Sequence, residues 1–170
     1  MSTLLTLQSF QACWSEVPAI VRAFLYEPTE QLLEGDLYAV FPVVLGRGIT
    51  PYPKTGPGQY VVEREFIFRV LIAPFQKASL DSLDEGAYVD KLAVEFIDSP
   101  ATYFMTGDHI RLASNAVTGF TAPMKGLEKD ISLTDSGPAV KAGPGGVQYR
   151  CIDYTFTVSE RRFPLPSRLS

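Results

Sequence analysis

Apolar positions change period several times along the chain, and each change marks an element. Leu4, Leu7, Phe10 and Trp14 recur at intervals of three and four, the stripe of a short amphipathic helix. Pro18 cannot sit deep in a helix, so that helix should end around Glu16 or Val17. Ala19 to Tyr26 is short and rich in strand formers, which predicts a first strand closed by Glu27 and Pro28. Leu37 to Leu45 is a nearly continuous apolar run bounded by Asp36 and Gly46. It predicts a strand covered on both faces, with Pro42 at a bulge or an edge. Tyr60 to Pro74 predicts a long strand. There Glu63, Glu65 and Ile67 alternate with Arg64, Phe66 and Phe68 before the run turns apolar throughout.

Helical period returns over 83–97. Tyr88, Leu92 and Phe96 stack at four-residue spacing, flanked by Leu83, Val89 and Ala93, while Asp90, Lys91, Glu95 and Asp98 face away. Ser79 or Asp81 can cap this helix, Asp84 and Glu85 suit its first turn, and Pro100 lies just past its end. Ile110 to Ala113 predicts a short strand, continued by Val117 to Thr121. Val147 to Glu160 alternates again, with Ile152, Tyr154, Phe156 and Val158 on one face and Asp153, Thr155, Thr157 and Ser159 on the other. That is the pattern of a half-buried strand. Two stretches rich in Gly and Pro, 46–59 and 122–146, read as long loops, the second holding a short strand at 130–133. The order helix, strands, helix, strands predicts an α+β fold: one mixed, mainly antiparallel β-sheet with two helices packed on one face. Residues 1–160 form the single domain of this reading, and 161–170 an extended C-terminal tail.

Composition narrows the function. The 170 residues are 46% apolar and 20% charged, which suits one globular domain. The net charge of −4 comes without a basic block, so the electrostatic footprint of a protein that grips nucleic acid is missing; DNA can still pass nearby. Cys13 and Cys151 are too few and too far apart for a disulfide framework or a zinc site, and read as small buried apolar residues in a reducing compartment. Met1 to Phe10 lacks the basic start and apolar core of a signal peptide, and no stretch approaches the ~20 apolar residues of a membrane span. A soluble protein made in the cytoplasm is expected.

No catalytic, cofactor-binding or metal-binding set emerges. His109, the single histidine, sits in Gly107-Asp108-His109-Ile110, a turn entering a strand. Gly46-Arg47-Gly48 lacks the third glycine of a dinucleotide loop, and Gly143 to Gly146 enters a strand where a phosphate cradle should open a helix. Glu63 and Glu65 share a strand face, but Arg64 and Arg69 nearby favour an exposed ladder of opposite charges over an acid pair. Asp81, Asp84 and Glu85 fit a helix start better than a calcium loop. In the tail, Arg161, Arg162 and Arg168 interleave with Phe163, Leu165 and two prolines. Either this segment docks on a neighbouring subunit, with Phe163 and Leu165 as anchors, or it is a solvated end.

Several of these features occur in a familiar order. A short N-terminal helix leads to a strand ending in Tyr26-Glu27-Pro28, then to the apolar strand Leu37 to Leu45 closing in a Gly-rich loop. An R-x-F-x-F-R-V strand from Arg64 to Val70 follows, then the helix Leu83 to Ile97, then a Gly-Gly-x-x-Tyr strand from Gly145 to Val158. From about Leu7 to Glu160 this pattern of elements resembles the tail terminator proteins of long-tailed bacteriophages and related neck and tail-completion proteins. The resemblance implies a non-enzymatic virion subunit without cofactors. It would form a ring, typically of six copies, that caps the tail tube, meets the head-side connector or head-closure protein and leaves a channel for DNA. A ring interface uses two different patches on each subunit. They are expected on the 46–59 loop (Arg47, Tyr52, Lys54), the 122–146 loop (Lys125, Lys129) and the tail (Arg161, Arg162, Phe163, Leu165). A head-closure or tail-tube subunit is the nearest alternative; a tube subunit should carry a long exposed hairpin, against which the prolines of 46–59 weigh. A small-ligand binding domain would need convergent polar groups in a pocket.

Overall fold

The computed structural model describes residues 3–53, 60–75, 83–105 and 129–162. The elements are α1 (Thr3–Glu16), β1 (Arg22–Ala23), β2 (Ala39–Pro53), β3 (Tyr60–Pro74), α2 (Leu83–Phe96), α3 (Ser99–Met105), β4 (Lys129–Ala142) and β5 (Gln148–Arg162). One five-stranded sheet has the order β1-β2-β3-β5-β4. β1 pairs parallel to β2 and every other pairing is antiparallel, so the sheet is mixed and mainly antiparallel, as the element order predicts.

The helices lie on one face. Leu7, Phe10, Cys13 and Trp14 of α1, with Val17 just past its end, join Ala93 and Phe96 of α2 in one buried cluster with Phe66, Phe68, Val70, Ile152, Tyr154 and Phe156 of the sheet. Phe10 sits at the centre, with ring centroids 4.9 Å from both Phe68 and Phe156 and 5.3 Å from Phe66. A third helix, α3, was not expected. Pro100 ends α2 as predicted, but it is also tolerated in the first turn of a new helix, where its missing N–H costs nothing. α3 adds Tyr103 and Phe104 to the same cluster, and Tyr103 Oη donates to Glu16 of α1 at 2.7 Å.

The predicted first strand over 19–26 shrinks to Arg22–Ala23. Residues 17–20 are spent on a turn: Ile20 N–H donates to Val17 O, and Ala19 takes a left-handed φ of 73°. The chain then crosses to the other face of the sheet. There Leu32 caps a second cluster with Ala39, Phe41, Leu71, Tyr149 and Cys151, joined by Phe24 and Leu37. Both cysteines are buried and free, on opposite faces.

The larger corrections concern the two predicted loops. β2 continues through Gly46 to Pro53, and most of 122–146 is strand, because β4 runs from Lys129 to Ala142. Gly and Pro are tolerated because β4 is an edge strand, as β2 is over most of its length, and because both carry irregularities. Pro42 lies at a register shift in the β2–β3 ladder, as predicted, and Pro138 at one in the β4–β5 ladder. The predicted strands over 110–113 and 117–121 lie outside the described residues, as do Ser79 and Asp81.

Candidate functional site

Strands and helices here have mismatched lengths. β2, β3 and β5 each hold 15 residues, about 50 Å of strand, whereas α1 and α2 hold 14 each, about 21 Å of helix. Among the described side chains, the helix-face core reaches Phe66 on β3 and Phe156 on β5. Both strands continue six residues further, to Tyr60 and Arg162, about 20 Å past that limit. The overhanging end is one ladder of four strands: β2 pairs with β3 and β3 with β5 to their ends, with register shifts in β2–β3 between Leu45 and Arg47 and between Ile49 and Tyr52, and β4 joins β5 as far as Glu160.

The ladder gathers residues that are distant in sequence. Tyr52 is opposite Val61, which is opposite Arg161, so these lie in one cross-strand row. Arg162 faces Tyr60 in the next row, and Lys129 opens β4 opposite Glu160. Arg47 faces Glu65 further in, and its guanidinium pairs with the Glu65 carboxylate. Five of the residues expected at an interface thus share one end of the sheet: Arg47, Tyr52, Lys129, Arg161 and Arg162. Their setting differs from the expected one, since they lie on paired strands and β5 extends two residues past Glu160. Lys54, Lys125, Phe163 and Leu165 lie outside the described residues, as does His109.

Among the described residues, both edge strands of this ladder lack an outer partner along the overhang. β1 covers β2 only at Ala39 and Val40, and among the described residues no strand pairs with the outer side of β4. The β4 edge is interrupted by a bulge between Asp135 and Pro138. Gly137 takes φ 72° there and its N–H donates to Asp135 Oδ1 at 2.9 Å, while Asp153 N–H donates to Ser136 Oγ at 3.2 Å.

That bulge leads to the most buried charge among the described residues. Asp153 was expected on the solvated face of its strand, yet its side chain is only 11% exposed. Arg69 Nε and Nη2 donate to its two carboxylate oxygens at 2.8 and 3.0 Å, and Lys141 Nζ donates at 2.7 Å. Burial pulls the Asp153 carboxyl upward, but hydrogen bonds and charge from Arg69 and Lys141 outweigh it and hold the group below its ordinary range. Its hydrogen bond in turn raises the Arg69 guanidinium. In place of the predicted exposed ladder, Glu65 takes Arg47, Arg69 takes the buried Asp153, and Arg64 donates to Gly46 O at 3.0 Å; the Glu63 side chain lies outside the described ones. These pairs tie β2 to β3 and β3 to β5 to β4. No alternation rule reveals them, because they depend on cross-strand register, over 84 residues of sequence for Arg69 and Asp153 and 18 for Arg47 and Glu65.

Among the described residues there is no group of three or more His, Cys, Asp or Glu arranged to hold a metal, and no helix long and apolar enough to cross a membrane. No protein-family model matches the chain, and no curated protein matches it.

Proposed function

We propose that this chain is a structural subunit of a phage neck, a tail terminator that assembles as a closed ring of about six copies on the tail tube and presents a face to the head-side connector. The observation that carries this reading is the overhanging four-stranded ladder, whose edge on each side has no strand partner among the described residues. A long open edge is an association hazard unless something pairs or covers it. Here the two edges are different strands, β2 and β4, so copies joined through them would meet head to tail. Such an interface closes into a ring or runs on as a filament. Proline in β2 and the bulge in β4 restrict unspecific strand addition, which favours one defined partner. The order of elements that resembles tail terminators supports the neck role. The net charge of −4 suits a channel that lets DNA slide without gripping it.

A second reading, a tail-tube subunit, is favoured by the β2–β3 hairpin. Its strands of 15 residues each are the long hairpin that a tube subunit needs and that the prolines of 46–59 had argued against. Native mass spectrometry with negative-stain microscopy, over a range of concentrations, separates the two. Discrete rings are the expected result. Open-ended tubes would move the assignment to the tube, and a monomer at every concentration, with and without purified tail tubes, would overturn both.

A further inference from the structure

Away from the overhang, the helix face carries a shallow depression of about 190 Å³ between the end of α1 and the α2–α3 corner. Pro18, Tyr38, Leu92 and Phe96 make its apolar wall, and Glu95 and Ser99 its polar rim. The rings of Tyr38 and Phe96 stand edge to face, with centroids 5.3 Å apart and planes at 85°. The Glu95 side chain is 60% exposed and has Lys91 Nζ at 3.7 Å, a loose pair. Phe96 is buried beneath Tyr38, so the ring offered at the surface is that of Tyr38; a tyrosine ring beside a carboxylate suits a proline-rich segment that carries an arginine, the prolines packing on the ring and the guanidinium taking the carboxylate.

The chain itself contains such a segment, Phe163-Pro164-Leu165-Pro166-Ser167-Arg168. Its prolines cannot reach the depression of their own subunit. Arg162 is paired with Tyr60, whereas Ala39, next to Tyr38, is paired with Leu71 eleven residues up β3, about 36 Å away. Even Tyr154, whose ring centroid is 6.4 Å from that of Phe96, is eight residues back along β5, about 26 Å. Pro166 follows Arg162 by four residues, a reach of at most ~14 Å. We infer that residues 163–168 of one copy dock in the Tyr38/Leu92/Glu95 depression of a neighbouring copy, with Arg168 on Glu95 and the prolines against the Tyr38 ring. This rests on the ring reading for its neighbour and adds a second contact to it, apart from the strand edges.

The test co-expresses two full-length chains, one carrying Ser99→Cys and the other Ser167→Cys, and reads the disulfide-linked dimer on a non-reducing gel beside the ring fraction in light scattering. Because the native thiols are buried, linkage between the two chains reports the proposed contact. The expected result is rings with severalfold more linked dimer than when Glu30→Cys, at an exposed position, replaces Ser99→Cys. Rings with linkage at the control level overturn the docking while leaving the assembly reading intact; no rings and no linkage overturn both. Independently, Glu95→Arg and Arg168→Glu should each lower the ring fraction severalfold, and the two together should restore it. Failure of the double exchange to restore rings would remove the ion pair from the proposal.

Discussion

Replacing Asp153 with alanine should be among the most damaging polar substitutions in this protein. Asp153 is 11% exposed and Arg69 16%, so the substitution leaves an arginine charge largely out of water without its carboxylate. Breaking a buried pair from one side costs about 3–5 kcal/mol. The lower end applies here, because Lys141 is 40% exposed and can turn to solvent, where its charge is screened. The bond from Asp153 N–H to Ser136 Oγ is not removed directly. A loss of about 3 kcal/mol in a chain of 170 residues corresponds to roughly 6–12 °C in Tm. Urea unfolding followed by tryptophan fluorescence suits the measurement, since Trp14 is fully buried, at one fixed protein concentration so that assembly does not confound the comparison. The paired substitution Arg69→Met with Asp153→Leu should recover most of the loss, because no uncompensated charge remains on those two strands. A loss below about 1 kcal/mol for Asp153→Ala would refute the reasoning, since that is the magnitude of a solvent-screened surface pair.

The same carboxylate predicts a pH dependence. Its folded pKa lies below the ordinary 3.8, so its contribution is complete above that value and is lost as pH falls through the lowered pKa. Acid titration of stability should therefore show a component below about pH 4 that is absent from the Arg69→Met/Asp153→Leu protein. Phe10→Ala should cost about 3–5 kcal/mol in equilibrium unfolding, because Phe10 is fully buried among three sheet rings. In the β4–β5 turn, Gly145→Ala should destabilise clearly more than Gly146→Ala in thermal unfolding. Both take φ above 70°, but only at Gly145 would a Cβ meet another backbone atom, the Gln31 nitrogen at 2.8 Å. The Cys13 thiol, pushed up to about 11 chiefly by burial, and Cys151, which burial also raises, should resist alkylation at pH 8 in the native protein. Both should react at once in urea.

Elements whose burial is written in their own residues were legible from the chain. α2 was readable from the four-residue spacing that ends at Phe96, β3 from its run Tyr60–Pro74, and β5 from the alternation around Tyr154, because each repeats a period that one core face imposes. From these, the α+β class and the single helix-bearing face followed. The sequence could not show that Gly46–Pro53 and Lys129–Ala142 are strands. Local propensity there points to loops, and only pairing along β3 and β5 supplies the hydrogen bonds that make strands of them. Likewise Asp153 looks like one solvated residue of an alternating strand until register sets Arg69 beside it and the bulge brings in Ser136 and Lys141. Nine candidate interface residues were named from loop length and composition, but the meeting of five of them at one end of the sheet follows from register alone. Sequence determines what each segment would bury; which segments lie side by side depends on contacts between distant residues, and only the folded sheet decides it.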